Sequence, residues 1–285
     1  MRQNNEGKVA LVTGCSSGFG LLVSVELARI GFTVVSGMRN PEDQAPLMDA
    51  SKMAGVETRI HVVQMDVRNE EQVHYVVEQM TVQYGRIDVL VNNAGIAMGG
   101  MIEEIPLSKW KEQMEINFIG MVCVTQAVLP LMREGGRGRI IQMSSISGQV
   151  GFPGFGPYAS SKFAVEGFSE CLAMEVKPFN IDVVLIEPGA YGTPIWGKSF
   201  SQMSMASHSP YKGLLDSILQ YSQRSATESG DPSDVAKLIA KVATVHSPAF
   251  RYALPRGTSI TMLMKQWLPD RWFHRIILNL LHRKS

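Results

Sequence analysis

A tyrosine four residues before a lysine gives the chain a candidate proton-transfer pair. Tyr158 and Lys162 stand in PYASSKFAVEG, a stretch with a helical pattern, so both side chains are expected on one helix face. A free phenol, with a pKa of about 10, is a poor base at neutral pH. A nearby ammonium favours the phenolate by about 1–3 pKa units, so the pair suits proton exchange with a carbonyl oxygen. Taken alone, the pair also fits the surface of any amphipathic helix.

A second stretch, TGCSSGFG at residues 13–20, has the composition of an anion-binding turn. It lies between the apolar run KVALV and the helical pattern LLVSVELARIG. Small residues at such a junction let a phosphate approach the backbone N–H groups and the helix N-terminus. Because any tight turn uses glycine, it is the place of this turn between strand and helix that favours a dinucleotide.

Short β-branched runs alternate with longer helical patterns over residues 7–192, which predicts βαβ units around a parallel sheet. The predicted strands are KVALVTG, TVVSG, IHVVQMD, IDVLVNN, GRIIQMSS, IDVVLIEPG and a short run near RYAL. Helices are predicted over LLVSVELARIG, EEQVHYVVEQMTVQYG, PYASSKFAVEGFSECLAMEVKP and DPSDVAKLIAKVATV, the last capped by Asp231 or Ser233. Uniformly apolar strands suit a sheet covered on both faces. The fold class is therefore α/β, a Rossmann-like doubly wound parallel sheet of about seven strands.

The domain organisation follows from the same pattern. One domain is predicted over residues 1–260, followed by an amphipathic helical extension over 261–285. From about 190 to 225 the chain is rich in Ser and Met and shows no clear strand or helix period. A long irregular segment of this kind is typical of a substrate lid, and disorder in the unliganded state is the alternative.

Composition argues against several classes of function. The net charge of +1 over 285 residues disfavours nucleic acid and other strongly charged partners. Three cysteines without a CxxC pair predict neither a disulfide framework nor a metal site, and they favour a reducing compartment. The polar N-terminus lacks a signal-peptide core, and no apolar run is expected to reach the roughly 20 residues that span a bilayer. We therefore expect a cytoplasmic protein.

Taken in order, the motifs resemble those of the short-chain dehydrogenase/reductase family. TGxxxGxG is followed by NNAG at residues 92–95, EINFIG with Asn117, MSSIS with Ser145, YASSK, and then Pro188, Gly189 and Thr193. The resemblance covers roughly residues 7–195 and is nearest the hydroxysteroid and retinol dehydrogenase branch. It implies an oxidoreductase that uses a nicotinamide dinucleotide to interconvert an alcohol and a carbonyl compound.

The resemblance also implies catalytic roles. Tyr158 is the general acid in reduction and the base in oxidation, while Lys162 lowers the pKa of Tyr158 and bonds the nicotinamide ribose. Ser145 holds the substrate oxygen; its spacing of thirteen residues before Tyr158 matches the family and favours it over Ser144 and Ser147. Asn117 supports a proton relay through water, and a structural role at a helix kink is an equal alternative.

Cofactor contacts are expected along the whole carboxyl edge of the sheet. The resemblance assigns them to Gly14, Ser16, Ser17, Gly18, Phe19, Gly20, Arg39, Asp66, Val67, Asn93, Ala94, Gly95, Tyr158, Lys162, Pro188, Gly189 and Thr193. Within NNAG, Asn92 is expected closest to the adenosine ribose, although the motif could equally serve to tie neighbouring strands together. Asp66 is expected to accept from the adenine amino group, or else to cap the following helix.

The end of the second strand predicts which nicotinamide cofactor binds. Enzymes that take NAD usually place an acid there, which bonds the ribose and repels a 2′-phosphate. Here the chain reads VVSGMRNPED, with Met38 and Arg39 at that place, and arginine can pair with a phosphate. The prediction is NADP(H); NAD(H) is the alternative because a loop shift could bring Asp43 near the ribose.

Substrate residues are predicted at Ser145, Gln149, Tyr158, Tyr191 and Trp196. Methionines and aromatic residues in the lid form an adaptable apolar surface, which favours a lipophilic alcohol or carbonyl substrate. The same apolar residues could instead serve as lid packing or a subunit contact. Two other functions are weaker alternatives: a non-catalytic redox sensor, and an epimerase or dehydratase on the same fold.

The long helical patterns at about 107–133 and 156–177 carry more apolar residues than one sheet face needs. In relatives these helices meet their symmetry mates, so a homodimer or homotetramer is expected. The tail from Pro269 has one apolar stripe, comprising Trp272, Phe273, Ile276, Ile277, Leu280 and Leu281, with basic residues around it. Such a helix can lie on an anionic membrane surface; alternatively, its stripe packs on the domain or on a neighbouring subunit.

Overall fold

In a computed structural model, the chain is described over residues 5–193, 195, 208–227, 230–255, 262, 264–265 and 267–282. The strands are β1 (Val9–Thr13), β2 (Thr33–Met38), β3 (Ile60–Gln64), β4 (Val89–Asn92), β5 (Gly138–Met143), β6 (Ile181–Pro188) and β7 (Arg251–Leu254). Across these described residues they form one seven-stranded sheet in the order β3-β2-β1-β4-β5-β6-β7, with each neighbouring pair parallel. The predicted parallel sheet is therefore confirmed.

Helices cover both faces of the sheet, as predicted for a doubly wound fold. They are α1 (Gly18–Arg29), α2 (Ala45–Met53), α3 (Glu70–Tyr84), α4 (Leu107–Met114), α5 (Gly120–Glu134), α6 (Gly156–Val176), α7 (Lys212–Thr227), α8 (Pro232–Val242) and α9 (Asp270–His282). One core layer joins α1, α2 and α8 to the sheet, and a second joins α3, α5 and α6. Every residue of the apolar strand β1 is buried, because both faces of the sheet are covered.

Helix ends follow the signals in the sequence. The Asp231 side chain accepts a hydrogen bond from the Ser233 backbone N–H at 2.8 Å, so Asp231 caps α8 and Ser233 does not. The Asn69 side chain caps α3 by accepting from the Gln72 N–H. The alternative in which Asp66 caps this helix is therefore wrong.

One helical stretch is longer and more apolar than the sequence analysis expected. Residues Leu107–Glu134, which include α4, a π-helical turn at Glu115–Ile119 and α5, have the length and composition of a membrane-crossing helix. Their most apolar window has a mean hydropathy of 1.5, and 39% of it is buried in the fold. Since α5 packs beside α3 in the same core layer on the sheet, this composition fits a helix of the domain core.

The segment predicted to be irregular contains the helix α7, which the sequence analysis missed. Leu215 and Ile218 lie on the buried side of α7, where they contact Met101 and Phe155. The signal was present in the spacing of Leu214, Leu215, Ile218 and Tyr221, but the preceding Ser-rich run obscured it.

The C-terminal helix α9 is amphipathic as predicted, but its apolar residues are divided between two faces. Phe273, Ile277 and Leu281 are buried, and they pack on Val150 and on the α7 cluster. Trp272 points outward and is 69% exposed. Packing on the domain, which was the alternative to membrane contact, therefore accounts for the buried half of the stripe.

Candidate active site

A cavity of about 600 Å³ opens at the carboxyl ends of the parallel strands. This edge of an open α/β sheet is where ligands bind, at the point where the strand order reverses, here between β1 and β4. The cavity is long, running from the glycine-rich turn to α6. Its walls include Gly14, Ser16, Ser17, Gly18, Phe19, Arg39, Asp66, Val67, Asn93, Ala94, Gly95, Ser145, Tyr158, Lys162, Pro188 and Thr193.

The glycine-rich turn is held tightly against β4. Gly14 has a φ of +71°, and a Cβ there would lie 2.7 Å from the Ala94 Cα, so no larger residue fits. A Cβ on Gly20 would lie 2.3 Å from the Gly14 carbonyl oxygen, which means that Gly20 packs beneath the turn and does not line the cavity. At the N-cap of α1 the Ser17 side chain makes no capping hydrogen bond, so the first N–H groups of the helix suit an anionic ligand.

The NNAG motif combines a structural role with a place in the cavity wall. The Thr13 hydroxyl accepts from the backbone N–H groups of Asn93 and Ala94, each at 2.9 Å. The Asn93 amide donates to the Thr13 carbonyl at 2.8 Å, and together these bonds tie β1 to β4. Asn92 lies elsewhere, since its amide donates to the Thr125 hydroxyl of α5 at 2.9 Å. The expectation that Asn92 lies closest to the adenosine ribose is therefore wrong, and Asn93 is the asparagine that lines the cavity.

The far end of the cavity, beyond β2 and β3, is lined by charged residues. Arg39 is exposed there, and Asp43 lines the same wall, so both the predicted basic residue and its acidic rival reach the cavity. Asp66 is bonded by the Arg68 guanidinium at 3.0 and 2.6 Å. Arg68 holds the pKa of Asp66 below its ordinary value, chiefly through these hydrogen bonds, so the carboxylate is an acceptor at neutral pH.

Ser145, Tyr158 and Lys162 meet at the opposite end and are all buried. The Tyr158 and Ser145 hydroxyls are hydrogen-bonded to each other. Ser144 also lines the cavity, but its hydroxyl donates to the Glu166 carboxylate. Ser147 donates its backbone N–H to the Ser145 Oγ at 3.1 Å. Of the three serines, Ser145 is therefore the one bonded to Tyr158, which matches the choice made from spacing.

The protonation of this pair differs from the expectation drawn from the resemblance. Burial raises the pKa of Tyr158 above its ordinary value, and the hydrogen bond with Ser145 opposes that change. Burial also lowers the pKa of Lys162 to about 8, because the charged amine has lost water. The Lys162 amine donates to the Met143 carbonyl at 2.7 Å and lies 5.7 Å from the centre of the Tyr158 ring. In this structure burial, and not the ammonium, dominates the acidity of the phenol.

Asn117 supports the backbone and does not line the cavity. It lies in the π-helical turn, where its Oδ1 accepts from the Ile96 N–H and its Nδ2 donates to the Ile96 carbonyl, both at 2.9 Å. A second bond from the Nδ2 reaches the Ser161 hydroxyl at 3.1 Å. These contacts favour the structural role at a helix kink that the sequence left open.

Two of the predicted substrate residues lie outside the cavity. The Gln149 amide donates to the Glu187 carboxylate at 2.9 Å and to Glu166 at 3.3 Å, so it serves a buried polar cluster. Tyr191 is buried in the core, where its ring packs edge-on against Phe19 at 5.7 Å. Trp196 lies outside the described residues.

Only some of the residues predicted on the nicotinamide side line the cavity. Pro188 and Thr193 line it, and Ile195 adds to the same wall. Gly189 does not; its backbone N–H donates to the Leu254 carbonyl at 2.6 Å and joins β6 to β7. Sequence reasoning missed Ile96, Ala97, Met98, Glu112 and Ile116, which line the cavity from the loop after β4 and from α4 and the π turn, and which carry no motif of their own.

The residues present fit a dinucleotide. The cavity is elongated, with uncapped helix N–H groups near one side, charged residues at one end and a buried tyrosine and lysine at the other. A pyrophosphate would lie at the N-terminus of α1, between Gly14 and Phe19. The amine of Lys162 and the hydroxyl of Tyr158 would then face the nicotinamide end.

Comparison with known proteins agrees with this arrangement. A protein-family model described as short chain dehydrogenase matches residues 8–204. The chain is 44% identical to the uncharacterized oxidoreductase YusZ of Bacillus subtilis over 92% of this chain and 94% of that protein. It is 37% identical to retinol dehydrogenase 8 of Bos taurus, over 86% of this chain and 80% of the relative.

A solved structure gives the same result for the fold. The crystal structure of a short-chain dehydrogenase from Streptomyces avermitilis superposes with a TM-score of 0.78 at 31% identity, covering 94% of this chain and 95% of that one. Every residue that lines the cavity falls within the range matched by the family model. The chain therefore belongs to the short-chain dehydrogenase family of oxidoreductases.

Proposed function

We propose that this chain is an NADP(H)-dependent oxidoreductase that interconverts a lipophilic alcohol and its ketone or aldehyde. The observation that carries the proposal is the buried tyrosine, bonded to Ser145 and one helical turn from Lys162, at one end of a dinucleotide-sized cavity. A proton donor that is shielded from water and held beside a second hydroxyl is suited to protonate a carbonyl oxygen.

The chain's residues supply everything in this reaction except the hydride, which bound NADPH provides. In reduction, Ser145 donates a hydrogen bond to the substrate carbonyl oxygen, and the Tyr158 hydroxyl transfers its proton to that oxygen as the alcohol forms. The ammonium of Lys162 stabilises the phenolate that remains and bonds the nicotinamide ribose. Oxidation uses the same groups in reverse, with Tyr158 as the base.

Arg39 supports the choice of NADP(H). It is exposed at the end of β2, where it lines the cavity with its guanidinium available to a 2′-phosphate. Its charge also contributes to lowering the pKa of Asp66, which places it near the adenosine end of the cavity. Asp43 lines the same wall, and it is the group that would favour NAD(H) if it reached the ribose.

A lipophilic substrate is supported by the walls near Tyr158. Met98, Met143 and Ile195 line the cavity, Met143 bonds Lys162 through its carbonyl, and α7 adds an apolar cluster that includes Phe155. Methionines accept varied apolar shapes. Retinol dehydrogenase 8, with which the chain aligns over most of its length, is named for a substrate of this kind.

Turnover with a panel of retinoid, steroid and long-chain carbonyl compounds tests the proposed function. We expect oxidation of NADPH with at least one compound, with a higher kcat/KM for NADPH than for NADH. Arg39→Ala should reduce this preference by about tenfold or more, because a charged hydrogen bond to phosphate contributes about 1.5–3 kcal/mol.

Arg29→Ala is the matched control, since Arg29 pairs with Glu26 on the surface of α1 outside the cavity. Tight NADPH binding without turnover on any compound would favour the redox sensor instead. A preference for NADH that Arg39→Ala leaves unchanged would overturn the assignment of NADP(H).

The proposed enzyme is a homodimer or homotetramer assembled through its long helices. Leu107 of α4, Ile119 of the π turn and Met174 of α6 are large apolar side chains that stay exposed in the single chain.

Light scattering tests this assembly, with a mass of two or four chains expected at micromolar concentration. Met174→Arg should weaken the assembly by burying a charge at the contact. Met53→Arg is the control, because Met53 is at least as exposed as Met174 but lies on α2, which covers the opposite face of the sheet. A monomer for the unmodified chain would refute the proposal.

The proposed enzyme is cytoplasmic and touches an anionic membrane surface through the outer face of its C-terminal segment. Trp267 and Trp272 are exposed there, and Arg271, His274 and Arg275 lie beside them. Tryptophans at headgroup depth with basic residues around them are typical of interfacial helices. The buried face of α9 remains on the domain, so contact would not require unfolding.

Co-sedimentation with vesicles of equal parts anionic and zwitterionic phospholipid tests the membrane contact. The full chain should sediment with these vesicles and remain in solution with purely zwitterionic ones. Replacing Trp267 and Trp272 by Glu should abolish sedimentation and leave the buried face of α9 intact. Tyr75→Glu on α3 controls for charge at another exposed aromatic residue. If the full chain stays in solution with both vesicles, α9 is a packing element only.

A further inference from the structure

A charged cluster lies directly behind the proton-transfer pair, outside the cavity. Its members are Gln149, Glu166, Glu187 and Arg251, with Glu170 at the outer side. Glu166 and Glu187 are 6% and 1% exposed, and neither lines the cavity. Buried carboxylates are costly unless they are paired and hydrogen-bonded, so a pair of them beside a catalytic site calls for a reason.

Glu166 is surrounded by donors. The Ser144 hydroxyl donates to its Oε1, and the Arg251 Nε donates to its Oε2 at 3.2 Å. The Gln149 amide reaches the same Oε2 at 3.3 Å. These contacts stabilise a charged carboxylate at Glu166, on the side of α6 that faces the end of β5.

Glu187 takes the complementary role in the pair. Burial raises the pKa of Glu187 to about 7. The charge of Glu166 adds to this effect, because two adjacent buried carboxylates repel each other when both are ionised. Glu187 is therefore about half protonated at neutral pH and becomes mostly protonated below it. Glu187 immediately precedes Pro188 in the cavity wall.

The charge on Glu166 lies one helical turn beyond Lys162 on the same face of α6. Burial lowers the pKa of Lys162 to about 8, and the charge of Glu166 opposes that fall. Ser144, which bonds Glu166, also precedes Ser145 in the chain. The Glu166 carboxylate thus acts on Lys162 and, through Ser144, on the backbone next to Ser145.

We infer that Glu166 is a positioning residue whose carboxylate keeps the proton on Lys162 and anchors Ser144, so that Lys162 is an ammonium and Ser145 faces Tyr158. This inference rests on the proposed function. Glu166 touches neither substrate nor cofactor; it acts through Lys162 and Ser144. Arg251 and Gln149 hold the carboxylate in place from the side opposite the cavity.

The titratable and charged groups around Lys162 and Glu166 come from several elements. They are Tyr158 and Glu170 on α6, Glu187 on β6, Arg251 on β7 and Lys265 before α9. Of these groups and Glu166, it is the Glu166 charge that raises the Lys162 pKa against burial. Removing that charge while keeping the shape of the side chain should therefore let Lys162 lose its proton at lower pH.

The test compares Glu166→Gln with the unmodified chain across pH, using two readouts. The first is NADPH affinity from cofactor fluorescence, which should fall at alkaline pH as Lys162 loses its proton. The second is kcat with a carbonyl substrate found in the panel. Each readout has an alkaline limb, the pH range over which it falls as pH rises. Both alkaline limbs should move to lower pH by about one unit in the variant.

Glu170→Gln is the matched control. Glu170 lies one turn further along α6 and bonds the same Arg251 at 2.5 Å, but it is exposed. The alkaline limbs of NADPH affinity and kcat in Glu170→Gln should stay at the same pH as in the unmodified chain. A purely structural role for Glu166 would lower affinity or kcat at every pH without moving the limbs, and that result would overturn the inference. A shift of equal size in Glu170→Gln would overturn it too.

The test still gives a result if the variant does not fold or if no substrate is found. If Glu166→Gln does not fold, the double variant with Arg251→Gln leaves no unpaired arginine in the cluster, and the same downward shift is expected. If no carbonyl compound is reduced, the proposed function has failed, but the limb of NADPH affinity still shows whether Glu166 controls Lys162.

Discussion

The site depends on keeping a charged amine out of water. Lys162 is buried on α6, and an isolated ammonium in that position would lose its proton or destabilise the fold. The Met143 carbonyl accepts from it at 2.7 Å, the Tyr158 ring lies beside it, and the Glu166 charge supports it from behind. These contacts leave Lys162 with a pKa of about 8, near enough to neutrality for small changes around it to change its charge. A lysine exposed to water would have no such sensitivity.

The fold supplies this environment by bringing distant parts of the chain to one edge of the sheet. The carboxyl end of β5 presents Met143 and Ser145, and α6 presents Tyr158 and Lys162 across from them. At the other end of the cavity, Thr13 ties β1 to β4 through three hydrogen-bonding groups of Asn93 and Ala94. Parallel strands make this convergence automatic, because all their carboxyl ends lie on the same side.

The sequence predicted what depends on local pattern and missed what depends on packing. The strands, most of the helices and the glycine turn follow from periodicity and from turn residues, and the choice of Ser145, the serine bonded to Tyr158, followed from its spacing to Tyr158 in the family pattern. The choice between Asn92 and Asn93 could not be made that way, because neighbouring residues at the end of a strand point to opposite sides and only the packing of α5 shows which side holds Thr125. Tyr191 is of a residue type that often lines pockets, but an aromatic ring fills a core equally well.

The role of Gln149 and the glutamates was hidden for a further reason. Glu166, Glu187 and Arg251 are far apart in sequence and share no motif, and a charged residue in a helical or strand pattern is usually on the surface. Their pairing appears only when β6, β7 and α6 are placed together.

The most direct test of the account is turnover by Tyr158→Phe, measured together with its affinity for NADPH. The account predicts that kcat falls by about a hundredfold or more, since the hydroxyl carries the proton, while NADPH affinity stays near that of the unmodified chain because the ring still packs. Tyr75→Phe, on the exposed face of α3, should leave both quantities unchanged. Near-normal turnover by Tyr158→Phe would contradict the account, because the proton would then come from another group.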